Sequence, residues 1–131
     1  MLCLVADIPG IIEYAHLNRG LGFSFLRHIE RCRSLLYIVD LSAPDACQQL
    51  RVLRHELELY QAGLSHKPHV VIGNKIDLPE TEQNADKLRT FVGSSASVLT
   101  ISAKHRTNIG AVSRIIREMY DNSLAKNRHA T

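Results

Sequence analysis

The sequence has little cysteine and no cysteine pattern. Cys3, Cys32 and Cys47 are an odd number, far apart, with no CxxC and no histidine at zinc-finger spacing. That excludes a disulfide framework and reads as buried or incidental thiols of a reducing compartment. The seven histidines form no metal cluster either, because His66 and His69 flank Lys67-Pro68, where a helical ligand pair cannot form. Charge of one sign is scarce: 16 basic against 13 acidic residues leave +3, too little to argue nucleic-acid binding. No apolar run approaches the roughly 18–20 residues that cross a bilayer. No cationic segment with a small-residue cleavage site opens the chain, and repeats, low-complexity stretches and internal linkers are missing. What is present is proportioned like one globular domain. Its 131 residues are 45% hydrophobic and 22% charged, which argues against disorder and against collagen-like repeats, and a chain of this length can bury a core without staples.

Apolar periodicity divides the chain into alternating elements. Leu2 to Ala6 reads as a short strand ending at Asp7-Ile8-Pro9-Gly10, followed by a loop over residues 11–20 and a helix from Phe23 to Cys32. Ser34 to Leu41 is a continuous apolar run, the mark of a strand buried on both faces. A helix begins around Ser42-Ala43-Pro44-Asp45, and Ala46, Leu50, Leu53, Leu57 and Tyr60 form one apolar stripe up to Gly63. Val70-Val71-Ile72 is the next strand, a helix is predicted from Thr81 to Val92, and Val98 to Ile101 is the last strand. Asn108 is placed to cap a final helix with Ile109, Val112, Ile115, Ile116 and Met119 inside, and residues from about Asn122 read as a fraying basic tail. Strict alternation predicts an α/β fold, a parallel sheet with helices on both faces. All strand C-termini then share one edge, the edge where such folds bind ligands.

Three polar motifs fall at that edge in order: Asp7-x-x-Gly10, Asn74-Lys75-x-Asp77 and Ser102-Ala103-Lys104. Alone, the first and third are common turn sequences; NKxD directly after Val-Val-Ile is far more specific. Together they resemble the guanine-nucleotide-binding domain of P-loop GTPases. Guanine presents N1–H and an exocyclic amine side by side, and one carboxylate, Asp77, can accept from both. Adenine offers no such pair. The Lys75 stem can lie on the base while its ammonium stays wet. The Asn74 amide either bonds the base edge or ties neighbouring loops together. The Ala103 N–H is expected to donate to guanine O6, Ser102 to hold the Asp77 carboxylate, and Lys104 to cover the other side.

The stretch DIPGIIEYAHLNRGLGFSFLRHIERCRSLLYIVDLS, with HELELYQAGL and KPHVVIGNKIDLPE after it, resembles the Obg family, nearest the mitochondrial Obg-type GTPases of animals. The resemblance covers nearly the whole chain. It implies a Ras-like P-loop NTPase fold, with this chain as the C-terminal part of the G domain through residue 125 and a basic tail at 126–131. It also implies GTP hydrolysis to GDP as a switch in ribosome assembly, with the large ribosomal subunit or its rRNA as partner and a mitochondrial location. Asp7 would face Mg²⁺ through a water, Gly10 would approach the terminal phosphate, and Pro9 would stiffen the turn. Two positions stand out. Tyr14 fills a place where the family carries glycine, and Ile11, where Ras-like enzymes carry a water-orienting glutamine, implies slow intrinsic hydrolysis.

GxxxxGK[ST], the loop whose amides cradle phosphates, occurs nowhere in the 131 residues. In the family it lies upstream of DIPG, as do the switch-I threonine and a glycine-rich N-terminal domain. With an apolar run directly after Met1, the expectation is a chain truncated at its N-terminus, without catalytic residues of its own and inactive alone. The competing expectation is a catalytically inactive, ribosome-associated interaction module.

Overall fold

A computed structural model describes residues 31–129. The Leu2–Ala6 strand, the Asp7–Gly10 turn, the loop with Ile11 and Tyr14, and most of the Phe23–Cys32 helix lie outside the described residues. The described chain runs β1 (Leu35–Asp40), α1 (Ala46–Tyr60), a 3-10 turn (Leu64–His66), β2 (His69–Asn74), α2 (Thr81–Val92), β3 (Ser97–Thr100) and α3 (Ile109–His129). The three strands are parallel in the order β1-β2-β3, with Asp40 opposite Asn74 and Gly73 opposite Thr100. This is the α/β architecture expected.

Period-two alternation sorts the strand residues onto two faces. Leu35, Tyr37, Val39, Val71 and Val98 meet Leu50 and Leu57 of α1 and Ala85, Leu88 and Val92 of α2. Val70, Ile72, Leu36 and Leu99 meet Ile109, Val112, Ile115 and Met119 of α3. Sequential strand order with crossovers of one hand explains the layering, since both connecting helices then fall on the same face and leave the other to α3. Leu41, Leu50, Leu57, Ile72 and Leu88 are fully buried, each contributing about 1.5–3 kcal/mol of hydrophobic transfer.

The start of α1 differs from the sequence reading: Pro44 precedes the helix, whose cap is Asp45, its carboxylate accepting from Gln48 N–H at 2.9 Å. α2 runs from Thr81 to Val92 as expected, without a side-chain cap at Glu80. Instead the buried Thr81 hydroxyl shares its proton between the carbonyls of Leu78 (2.7 Å) and Ile76 (3.1 Å), and Asn84 donates to the Leu41 carbonyl at 2.7 Å. The end of α3 differs as well. α3 does not fray at Asn122 but continues to His129. Ser123 and Leu124 are half-buried, and Lys126, Arg128 and His129 complement the dipole of its last turn.

Candidate functional site

Parallel strands place Asp40, Asn74 and Thr100 along one sheet edge, and the chain leaves each of them into a polar loop. Gly73 accepts from Ile101 N–H at 2.8 Å, and Ile76 N–H donates to the Ile101 carbonyl at 3.0 Å. The β2–β3 pairing therefore outlasts the strands and holds the Asn74–Asp77 turn against the Ser102–Lys104 loop. That second loop is closed by two bonds between Ser102 and Thr107, with Thr107 N–H donating at 2.9 Å and Ser102 N–H at 3.2 Å.

Backbone strain concentrates in these two loops. Among the described non-glycine residues, the left-handed region is occupied by Lys75 (φ 71°), Glu80 (65°), Arg106 (57°) and Asn108 (62°). All four follow β2 or β3. A left-handed backbone costs such residues about 1–2 kcal/mol, and surrounding bonds must hold it. At Lys75 the hold is Asn74, whose Oδ1 accepts from Lys75 N–H at 2.8 Å. At Asn108 the side-chain amide donates to the Thr100 carbonyl at 3.0 Å rather than making the helix cap expected of it.

Asn74 Oδ1 also accepts from Ala103 N–H, at 3.1 Å. Of the two roles open to Asn74, tying loops together is the one present in this geometry. The Ala103 amide expected to face a base oxygen is engaged by Asn74, and a base oxygen there would share or take over that proton.

Asp77 sits above the second loop. Ser102, fully buried, accepts from His105 N–H at 3.2 Å. Its hydroxyl, more than any other influence, holds the Asp77 carboxyl below its ordinary range. Desolvation opposes this, and the nearby His105 and Lys104 charges assist. His105 Nε2 lies 3.5 Å from Asp77 Oδ2, and the Asp77 side chain keeps 24% of its exposure. The product is an ionised acceptor that remains accessible from outside. Exposed Lys104 lies in the neighbouring Ser102–Thr107 loop, its charge acting on Asp77.

Lys75 reaches the other way along the edge. Its Nζ meets Asp40 Oδ2 at 2.7 Å, while Asp40 Oδ1 accepts from Ser42 N–H (2.9 Å) and Ser42 Oγ (2.6 Å). Reading the sequence by motif missed Asp40. The signal available was its position, a lone carboxylate ending an apolar strand at the ligand edge. Asp7, Pro9 and Gly10, the residues expected at the phosphate and at Mg²⁺, lie outside the described residues. No group of His, Cys, Asp and Glu among the described residues could hold a metal ion. No helix among them is long and apolar enough to cross a membrane.

Comparison with known proteins agrees with the edge geometry. The sequence profile of the family described as 50S ribosome-binding GTPase matches residues 2–75. The protein named mitochondrial ribosome-associated GTPase 2 is 51% identical over 117 residues in Pongo abelii and 50% identical in Homo sapiens, covering 89% of this chain in both cases. GTPase Obg of Roseiflexus castenholzii is 44% identical over 119 residues, or 88% of this chain. The chain spans 28%, 28% and 27% of the length of these three relatives. The profile takes in more than half of the sequence and ends inside the NKxD turn that the fold sets at the ligand edge, so the chain belongs to the 50S ribosome-binding GTPase family, on its Obg side.

Proposed function

We propose that this chain supplies the base-recognising part of a GTP-driven switch in assembly of the large mitochondrial ribosomal subunit. The observation that carries this reading is the joining of the Asn74–Asp77 turn to the Ser102–Thr107 loop at one sheet edge, by Ala103 N–H on Asn74 Oδ1 at 3.1 Å and Ile76 N–H on the Ile101 carbonyl at 3.0 Å, which sets the Asp77 carboxylate beside the Ala103 N–H and Lys75. The residues fit a guanine. Asp77 accepts from N1–H and the exocyclic amine together, a pairing adenine cannot offer. Ala103 N–H passes from Asn74 to O6, and the Lys75 stem covers one face of the ring. Mg²⁺, when bound, neutralises charge on the phosphates, and Asp7 is the residue of this chain suited to it through a water. Asp7 and Gly10 then couple the phosphate end to residues 11–22, the segment proposed to change order between nucleotide states. The ribosomal and mitochondrial parts of this reading draw support from the names of the two 50–51% identical relatives.

The test is a titration of amide chemical shifts with GDP, ADP and XDP, for the native chain and for Asp77→Asn. Phosphate contacts normally supply much of the affinity, so binding is expected near about millimolar but selective for GDP. The Asn variant sets a donor against a guanine donor and should move the preference toward XDP. Equal responses of the folded native chain to GDP and ADP would refute the site. The alternative reading is a module that docks on a ribosomal particle without turnover. Co-sedimentation with large subunits that is indifferent to nucleotide would support it.

A further inference from the structure

Lys75 and Asp40 lie 35 residues apart in sequence, yet their side chains close the gap between the ends of β1 and β2 at 2.7 Å. We infer that Asp40 is the positioning residue for Lys75, setting where its stem crosses the mouth of the base site. The inference rests on the base-recognition reading above.

Three observations carry it. First, Asp40 is itself fixed from several directions. Its backbone N–H donates to Gln49 Oε1 at 3.1 Å and its carbonyl accepts from Gln49 Nε2 at 3.2 Å, so one α1 side chain grips both backbone polar groups of the residue. Ser42 occupies Oδ1 through two bonds, leaving Oδ2 for Lys75. Second, the left-handed backbone at Lys75 and the bond from its N–H to Asn74 Oδ1 fix the start of its side chain. With both ends of a long flexible stem held, the rotamer freedom that a lysine normally loses on covering a ligand is already spent. Third, neither partner is buried, with Lys75 47% and Asp40 35% exposed. Such an exposed pair contributes little to folding, so the bond matters chiefly for where Lys75 lies.

The arrangement also separates two tasks at one edge. Asp77 reads the base edge, and Asp40 acts only through Lys75 on the base face. Removing Asp40 should therefore weaken binding without relaxing base choice.

The experiment is a shift titration with GDP and ADP on the 131-residue chain and on Asp40→Asn, Lys75→Met and Asp40→Asn/Lys75→Met. The ¹⁵N signal of the Lys75 ammonium serves as a direct probe of the pair. Asp40→Asn should weaken GDP binding about two- to fivefold, the range an exposed ion pair can transmit. It should keep the preference for GDP over ADP and lose the ordered ammonium signal. In the Lys75→Met background the same substitution should change nothing further. Asp40→Glu, which keeps the charge but moves it by one methylene, should fall between native and Asn, and it carries the test if the Asn variant does not fold. A GDP preference in the native chain with affinity unchanged or improved in Asp40→Asn overturns this inference alone. An equal loss with and without Lys75 also overturns it, by showing that Asp40 acts through the fold. Equal native responses to GDP and ADP overturn the base site and this inference with it.

Discussion

Substituting Gly73 by alanine tests how tightly the NKxD turn is mounted. A Cβ on Gly73 would lie 2.8 Å from Leu41 Cδ1 and 2.9 Å from both Cδ2 and Cγ. Carbon atoms rest comfortably about 3.5–4.0 Å apart, so the shortfall is roughly 0.6–1.2 Å at three atoms. Rotating the end of the leucine cannot relieve a clash that includes Cγ. Leu41 is fully buried, and its backbone is tied by its N–H to the Asn74 carbonyl at 3.1 Å and by its carbonyl to Asn84 at 2.7 Å. Gly73 is tied as firmly, its carbonyl accepting from Ile101 N–H. Overpacking of this kind costs about 1–3 kcal/mol, and the Cγ contact places this site in the upper half. Restricting the unfolded chain returns about 0.4–1 kcal/mol, for a net loss of about 1–2.5 kcal/mol. Urea unfolding of native, Gly73→Ala, Leu41→Ala and the double variant forms the cycle. Leu41→Ala alone should cost about 2–5 kcal/mol through its cavity. In the double variant the new methyl enters that cavity, so the sum should be undershot by at least about 1 kcal/mol. A Gly73→Ala variant within about 0.5 kcal/mol of native, or strict additivity, would refute the proposed contact.

Three further outcomes are expected. The Glu58 carboxylate accepts from Gly63 N–H, Ser65 N–H and Ser65 Oγ, at 3.0, 3.0 and 2.5 Å. These bonds, the hydroxyl foremost, pull its pKa down to about 2. A depressed carboxyl contributes stability that is full above about pH 4.5 and lost as pH falls toward 2; acid unfolding of Glu58→Gln should lack that limb, and an unchanged acid limb counts against the clamp. Tyr37 buries its hydroxyl without a partner, and burial pushes its pKa up to about 12. Tyr37→Phe keeps the ring between Arg54 and His69, so it should be neutral or gain up to about 1 kcal/mol and should lose the fall in stability between pH 10 and 12; a loss above about 1 kcal/mol would show an unrecognised partner. Residues 1–131, which carry no GxxxxGK[ST], should release no phosphate from GTP above a buffer blank, and turnover abolished by Asp7→Ala would overturn that reasoning.

Periodicity alone determined the kind and order of the described strands and α-helices, but not the 3-10 turn at Leu64–His66. VVI is apolar at every step because both faces of β2 are covered. The apolar run of β1, expected to be buried on both faces, buries only Leu35, Tyr37 and Val39 and leaves Ile38 57% exposed. The stripe of Ala46, Leu50, Leu53 and Leu57 matches the helical repeat. The placement of the NKxD and SAK loops side by side was also legible, because parallel strands deliver their C-termini to one edge whatever the details. Local patterns could not reveal what crosses between loops. Asp40 on Lys75, Asn74 on Ala103 N–H and Leu41 against Gly73 each join distant positions, and their meeting depends on how far the packed strands carry each loop. Helix ends were only partly legible: the Thr81–Val92 bounds of α2 were, but the start of α1 at Ala46 and the continuation of α3 past Asn122 to His129 were not. Propensity and hydrophobic period act over a few residues, so they specify elements and faces. The partner of each polar side chain is decided by packing, which brings the ends of different elements within hydrogen-bond distance only after the core has closed.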